Sequence, residues 1–185
     1  TGEATSVRPG SATGISGGES IETQGGDDTI TGIGINDVGR GIGIRNGTQG
    51  PIRTGAVDDT ITGLGSDVGL LRGTYDGGRG DDTFRARIID LAGRERPDQD
   101  GAIDDVVLLG RGGHDTFDVG HGSGWIDGGT GCDTLLLPGS ANDYTIHGPD
   151  DDLTIERNGV RLHARSIERL HFATTVTTGS GAGCP

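Results

Sequence analysis

The sequence contains no Lys and no Met, only two Cys, and six aromatic residues among its 185 residues. Bulky apolar residues are also scarce, because Leu, Ile, Val and Phe together number 40. This scarcity argues against a helical bundle or a coiled coil, and no stretch approaches the roughly 18 apolar residues of a transmembrane helix. The few aromatic residues, together with the lack of a nucleophile–base pair or a cofactor motif, argue against an enzyme.

Glycine and aspartate are the residues that the chain has in excess. It contains 39 Gly and 22 Asp but only 6 Glu, and its formal net charge is −13. A chain of this sign repels phosphate, so we expect no nucleic-acid partner. Low apolar content with high net charge lies near the limit of disorder, but Gly and Asp are also the residues that turns require. The composition therefore leaves two alternatives, a disordered polyanion or a fold that uses Gly and Asp as structural parts.

One pattern recurs five times along the chain. An apolar residue is followed seven positions later by an Asp, then by a Thr, then by another apolar residue, with glycine-rich sequence in between. The five aspartates are Asp28, Asp59, Asp82, Asp115 and Asp133, separated by 31, 23, 33 and 18 residues. If 18 residues form the bare coil of a repeat fold, the longer steps contain insertions, which we expect at the corners of the coils.

The best copies of this pattern lie at residues 77–85 and 128–136, which read Gly-Gly-x-Gly-x-Asp-x-apolar-x. This motif resembles the nonapeptide of the repeats-in-toxin (RTX) calcium-binding β-roll family. The copies at 23–31 and 110–118 lack one or two glycines, and the copy at 54–62 is weaker. The resemblance covers residues 15 to 173. It implies an all-β fold, a calcium-stabilised parallel β-roll or β-solenoid that is closed by a small C-terminal antiparallel β segment.

The implied organisation has four parts. Residues 1–14 form an N-terminal extension, 15–140 the RTX-like β-roll with insertions, 141–173 a C-terminal β cap, and 174–185 a tail of Gly, Ser and Thr. Within the cap, Asn-Gly between alternating strands predicts a hairpin. Two segments of the roll, 39–47 and 90–100, are expected to be inserted loops.

The resemblance also implies a set of metal ligands. Calcium (Ca²⁺) takes six to eight oxygen ligands from carboxylates and carbonyls, and a glycine-rich turn can direct its carbonyls inward because glycine tolerates positive φ. The implied ligands are Asp28, Asp59, Asp82, Asp115, Asp133, Gly26, Gly78, Gly80, Gly113, Gly129 and Gly131. Five stacked turns leave about four sites between coils, and we expect the chain to fold only when calcium is bound.

Several other patterns favour ordinary structural roles. Asp27, Asp58 and Asp81 precede the pattern's acids and are expected to be solvent-facing charges rather than a glycosidase pair. The five histidines share no ligand spacing and are expected at surface or hairpin positions. The Thr-Ile-Thr segments at 29–31 and 60–62 occur on only two repeats, so we interpret them as strand residues rather than as an ice-binding array.

Three functions remain open at this point. We favour a secreted structural protein that self-assembles into an extracellular fibre, sheath or matrix. The others are the C-terminal folding and secretion module of a larger exported enzyme or toxin, and a carbohydrate-binding module. The expected partners are calcium ions, further copies of the chain as a homo-oligomer or fibre and, in the third case, extracellular polysaccharide.

The cysteines and the first residue add two expectations. Cys132 and Cys184 allow one disulfide, within the chain or to a neighbouring molecule, and disulfides are typical of extracellular proteins. Calcium is also far more abundant outside cells, which agrees with a secreted or cell-surface protein. Because the chain begins at Thr1, we expect a processed product or a part of a longer protein.

Overall fold

The computed structural model describes residues 11–17, 20–47, 50–173, 175–178 and 184. Within these residues the chain is all-β, as predicted, with one 3-10 turn at Ala141–Asp143 and no helix long and apolar enough to cross a membrane. The strands are β1 (Ser11–Ser16), β2 (Ile21–Glu22), β3 (Thr29–Gly34), β4 (Arg40–Arg45), β5 (Ile52–Ala56), β6 (Thr60–Gly65), β7 (Val68–Arg79), β8 (Thr83–Ile88), β9 (Ile103–Gly113), β10 (Thr116–Asp118), β11 (Gly124–Gly131), β12 (Thr134–Leu137), β13 (Thr145–His147), β14 (Asp152–Arg157), β15 (Val160–Arg165), β16 (Arg169–Phe172) and β17 (Thr175–Thr178).

The strands form two sheets between which the chain crosses repeatedly. The first sheet has the order β1-β4-β7-β9-β11-β15-β14-β13, with β2 and β5 beside it, and the second has the order β17-β16-β12-β10-β8-β6-β3. The pairings among β1 to β12 are parallel and join equivalent residues of successive repeats. The chain passes from the first sheet to the second through the glycine-rich turns, which we call the acidic corner.

The repeating apolar residues line the space between the two sheets. The residues that open each repeat form one column across the first sheet, in the order Ile21, Ile52, Tyr75, Leu108 and Ile126. The residues that follow each Asp-Thr pair form a facing column in the second sheet, in the order Ile30, Ile61, Phe84, Phe117 and Leu135. Within this column the rings of Phe84 and Phe117 stack with their centroids 5.0 Å apart. Residues that are equivalent in the sequence pattern are therefore the residues that pair in register within each sheet.

On the outer face of the second sheet, one threonine column extends further than predicted. Its members are in register across five strands, in the order Thr29, Thr60, Thr83, Thr116 and Thr134. The neighbouring column keeps threonine only on β3 and β6 and continues with Arg85 and Asp118. Because of these charges, the face as a whole is not a uniform hydroxyl array.

The prediction that residues 39–47 form an inserted loop is wrong. This segment contains β4, which pairs with β1 and with the first part of β7, and four consecutive residues of it are buried. The alternation of Gly and Ile suits a strand in a narrow layer, because a Cβ on Gly43 would overlap the backbone of Leu64 and Gly69. The extra residues of the first repeat therefore widen the first sheet instead of forming a corner loop.

The second predicted insertion is a loop, as expected. Residues 91–99 are exposed, and within the loop the Asp90 carboxylate accepts hydrogen bonds from the backbone N–H groups of Ala92 and Arg94. Glu95 forms an ion pair with Arg85, which anchors the loop to the outer face of the second sheet.

The C-terminal segment is antiparallel only in part. Strands β13, β14 and β15 form an antiparallel meander, and Asn158-Gly159 makes the β14–β15 turn with positive φ at both residues, which confirms the hairpin. However, β15 and β16 also pair in parallel with β11 and β12, so they continue the two stacks. The antiparallel strands that end the sheets are β13, β14 and β17.

The structure decides between the two alternatives for the cysteines. Cys132 and Cys184 form a disulfide within the chain, with their Cα atoms 5.5 Å apart. Cys132 lies in the last glycine-rich turn, so the bond attaches residue 184 to the acidic corner.

Candidate functional site: the acidic corner

The five turns of the acidic corner share one backbone conformation. If Gly77 to Asp82 are taken as positions 1 to 6, positions 2 and 4 have positive φ in every turn. Position 2 is occupied by Gln24, Gly55, Gly78, Arg111 and Gly129, and position 4 by Gly26, Val57, Gly80, Gly113 and Gly131. All six glycines predicted as site residues are therefore at left-handed positions. The weak copy of the motif at 54–62 adopts the same turn without the glycine at position 4.

The five predicted aspartates are brought together at position 6, where they form a continuous column that we call the inner ladder. The Oδ1 atom of each of the last four accepts a hydrogen bond from the backbone N–H of the aspartate one turn earlier, over 2.7–2.9 Å. Asp59 and Asp82 are each 2% exposed, and Asp115 and Asp133 are fully buried. The side chains therefore point into the molecule and stitch neighbouring turns together.

Glu168 completes the inner ladder and was missed by the sequence analysis. Its Oε2 atom accepts a hydrogen bond of 2.8 Å from the backbone N–H of Asp133. Its register partner is indicated by the next residues, since Arg169 pairs with Thr134 and Leu170 with Leu135. The sequence carries the signal, because Glu-Arg-Leu at 168–170 repeats the acid-x-apolar order of Asp-Thr-Leu at 133–135 without the glycines.

The second carboxylate oxygen of each predicted aspartate is buried and has no hydrogen-bond partner in the part of the chain that the structure describes. These atoms are the Oδ2 atoms of Asp28, Asp59, Asp82, Asp115 and Asp133. In the last three turns a Cβ at position 1 would overlap the Oδ2 atom, so the glycine there makes room for the carboxylate. The arrangement gives one unsatisfied oxygen per turn, stacked at the spacing of parallel strands, roughly 4.8 Å.

Burial makes these carboxyl groups weak acids. It raises the pKa of Asp82 and Asp133 to about 6 and that of Asp115 to about 7, and it also raises the pKa of Asp59. Hydrogen bonds from the backbone lower each pKa in part, while the neighbouring carboxylates raise it further. Near neutral pH some carboxyl groups of the ladder are therefore protonated, and those that are ionised carry negative charge without a compensating cation.

A second column of side chains runs along the exposed side of the corner at position 5, and we call it the outer ladder. Asp58 Oδ1 accepts the N–H of Asp81 over 2.8 Å, Asp81 Oδ1 accepts the N–H of His114 over 2.7 Å, and His114 Nδ1 accepts the N–H of Cys132 over 2.9 Å. Asp58, Asp81 and His114 were predicted to be surface groups, and they are exposed. Together with the buried Cys132, they also join successive turns. The two ladders have opposite directions, because the inner carboxylates accept from the preceding turn and the outer acceptors from the following one.

The donor chemistry of the corner fits a hard cation. Each turn contributes one buried carboxylate oxygen, and oxygen ligands at flexible geometry are those that calcium prefers. Among the described residues no group of three or more His, Cys, Asp or Glu side chains surrounds a common metal position. The side chains that would hold calcium are those of the inner ladder, one or two per ion, and the remaining ligands would be backbone carbonyls of the glycine turns.

Val57 is the residue that this turn tolerates least. It has φ of 82°, and a β-branched residue with positive φ is strained by about 1 to 3 kcal/mol. Glycine removes this strain but loses about 0.5 to 1 kcal/mol through its larger unfolded-state entropy. We expect Val57→Gly to raise the free energy of unfolding by about 1 kcal/mol in urea denaturation. Gly80→Ala, at the same position of the next turn, should destabilise, and a Val57→Gly protein no more stable than the wild type would contradict the strain.

The raised pKa values predict an unusual pH dependence for the metal-free protein. Between pH of about 4 and 7 the folded ladder binds more protons than the unfolded chain, whose aspartates have a pKa of about 3.9. The free energy of unfolding in chelator should therefore rise as the pH is lowered from 7 to 5. It is measured by urea denaturation.

Asp115→Asn is the matched variant for this experiment, since it keeps the shape of the side chain and removes its titration. It should be more stable than the wild type at pH 7 in chelator, by on the order of 1 kcal/mol, with a shallower pH dependence. Comparing the two proteins cancels the titration of the groups that do not interact with Asp115, so the difference reports on Asp115 and its neighbours in the ladder. Identical pH profiles would contradict the raised pKa of Asp115.

Comparisons of the chain with protein-family models, with curated proteins and with solved structures found no match. The resemblance to the RTX nonapeptide is therefore carried by the five turns, and any function drawn from it is a proposal.

Proposed function

We propose that this chain is a secreted calcium-binding β-solenoid with a structural role, in which calcium completes the acidic corner. The observation that carries the proposal is the set of five buried Oδ2 atoms without hydrogen-bond partners. A buried carboxylate oxygen without a partner destabilises the fold by about 1 to 3 kcal/mol or more, and five in one column cannot relieve one another. A bound cation supplies both a partner for each oxygen and the missing positive charge.

Calcium suits the corner better than the other common divalent cations. Zinc prefers nitrogen and sulfur ligands, whereas the inner ladder offers only oxygen. Magnesium requires near-ideal octahedral geometry and keeps several waters, which a row of fully buried carboxylates does not accommodate. Calcium accepts irregular sets of carboxylates and carbonyls. About four ions between five turns would also reduce the formal net charge from −13 towards −5.

Two features support an extracellular location. The Cys132–Cys184 disulfide persists most readily in oxidising compartments. Weak oxygen-rich sites fill only where calcium is abundant, as it is outside cells. A fold completed by calcium would then form after export.

Both sheets present surfaces that suit a structural rather than a catalytic role. Across the first sheet Glu22, Arg53, Asp76 and Arg111 form a chain of ion pairs, with nitrogen–oxygen distances of 3.0–3.7 Å. The ring of Trp125, the only Trp, stacks on the ring of His163 in the neighbouring strand β15, with the ring centroids 5.5 Å apart. It therefore does not form a free platform for sugar. Among the strands that the structure describes, β3 is the last of the second sheet and has no charged residue, so another copy could add to its edge.

Calcium binding is tested by thermal denaturation followed by circular dichroism. In chelator at pH 7 we expect reduced strand signal and a lower midpoint, and millimolar calcium should restore both, because binding adds to the folding free energy. Isothermal titration should show proton release on calcium binding near pH 6, as the carboxyl groups with raised pKa lose their protons.

Asp115→Asn and Asp98→Asn form a matched pair for this test. Asp115 lies in the inner ladder, whereas Asp98 lies in the exposed loop at 91–99. Asp115→Asn should weaken the calcium-dependent rise of the midpoint severalfold, and Asp98→Asn should leave it unchanged. Equal stability of the wild type in chelator and in calcium would refute the metal role of the inner ladder.

The structural role is tested by the assembly of the calcium-loaded protein. We expect light scattering and negative-stain electron microscopy to show elongated oligomers whose mass increases with concentration. Thr31→Lys places a charge on the outer face of β3, next to the edge that no described strand pairs with. It should shift the distribution of oligomers towards monomers. A strictly monomeric wild-type protein at all concentrations would refute assembly and favour the module of a larger exported protein.

A further inference from the structure

Three separate parts of the chain meet around one buried histidine. His121 lies between β10 and β11 and is fully buried, although the sequence analysis expected histidines only at surface or hairpin positions. Neither of its ring nitrogens forms a hydrogen bond with another residue that the structure describes. Around it lie Asp100 from the end of the long loop, Tyr144 from the segment before β13, and Arg157 from β14. We call these four residues the His121 cluster.

The contacts of the cluster join the antiparallel meander to the parallel stack. His121 Nδ1 is 3.5 Å from Asp100 Oδ1, and its ring lies edge-on to Tyr144 with a centroid distance of 5.4 Å. Asp100 is 3.5 Å from Arg157 Nε and accepts a hydrogen bond of 2.7 Å from Asn158 Nδ2 in the β14–β15 turn. Arg157 in turn donates to the Tyr144 hydroxyl over 3.0 Å.

The charges of the cluster are balanced only while His121 is neutral. Of the described carboxylates, Asp100 is the one that faces the ring, and Arg157 and Asn158 already engage it. A second cation in this buried site would lack a partner of its own. Burial lowers the pKa of His121 and Arg157 lowers it further, while the Asp100 carboxylate and the nearby Ile155 backbone raise it in part.

We propose that the His121 cluster is an acid-sensitive latch that holds the β14–β15 hairpin against β11. Protonation of the ring favours any state in which the imidazolium reaches water, and the closed hairpin does not offer one. Arg157 and Asn158 belong to the hairpin, so exposing the ring separates the hairpin from Asp100 and from His121. Because β15 pairs directly with β11, release of the hairpin exposes the edge of β11. The contacts that form the latch lie outside the acidic corner, so the proposal does not rest on calcium binding.

The opening of the latch has other local consequences. An exposed parallel strand edge pairs readily with another chain, so acid would convert a covered edge into an assembly surface. Glu168, which completes the inner ladder, lies three residues after the end of β15. Loss of the β15–β11 pairing therefore also loosens the last turn of the acidic corner.

The latch is tested by amide hydrogen exchange of the full chain in saturating calcium at pH 7 and pH 5. Protection factors, which correct for the intrinsic pH dependence of exchange, report the opening equilibrium of each strand. In the wild type we expect protection of β14 and β15 to fall at pH 5 by up to about 30-fold, the limit for a histidine with an unfolded pKa of about 6.5. Protection of β7 and β9 should change by less than about twofold.

His121→Gln and His163→Gln are the matched variants. His163 also lies at the junction of β15 and β11, where it stacks on Trp125, but it is partly exposed. The loss of protection at pH 5 should disappear in His121→Gln and persist in His163→Gln. A wild type without this loss, or a loss that persists in His121→Gln, would overturn the latch.

A second measurement applies if His121→Gln fails to fold. The carbon-13 shift of the imidazole Cε1 in the wild-type protein gives the pKa of His121 by NMR titration. The latch requires His121 to titrate below about 6.5 and together with the loss of β15 protection. A His121 that titrates at or above that value, or that titrates while β15 remains protected, would refute it.

Discussion

The fold depends on hydrogen bonds between carboxylates and backbone N–H groups along the acidic corner. In a parallel stack, the turns leave polar backbone groups that neighbouring turns must satisfy. Here the inner ladder satisfies one N–H in each turn from inside, and the outer ladder satisfies another from outside in the last three turns. The cost is a row of buried carboxylates with one unpaired oxygen each. The raised pKa of these carboxyl groups and the proposed binding of calcium therefore have the same physical cause.

The corner and the core enforce the same register. Asp82 and Phe84 are two residues apart and both point inward, one into the turn and the other between the sheets. A slip of one residue would turn the aspartate and the phenylalanine outward together. This coupling compensates for the small number of bulky residues, because each short strand is positioned by a polar and an apolar contact at once. The same arrangement explains why one long repeat can contain the extra strand β4 without disturbing its neighbours.

The sequence predicted best what repeats. The spacing from Tyr75 to Asp82, and from Leu108 to Asp115, identified the strand columns, the turns and the aspartates that meet in the inner ladder, because regular stacking makes equivalent residues equivalent in space. It failed where the repeated signal is missing or incomplete. Segment 39–47 was assigned to an inserted loop because it lies in one of the longer steps between repeats, whereas its alternating glycines allow close packing of β4. Glu168 was missed because its turn lacks the glycines, and His121 because its contacts come from chain segments that are far apart in sequence.

The disulfide makes the two ends of the stack differ in how easily they unfold. It joins residues separated by 52 positions, and this interval contains β12 to β17, the last strands of both sheets. In a stack whose units contact mainly their neighbours, unfolding starts at an end and proceeds unit by unit. The cross-link returns the C-terminal end to the last glycine-rich turn, so strands there cannot separate without remaining tethered. While the His121 cluster is closed, fraying therefore starts more readily at the opposite end of the stack, from β1 towards β12.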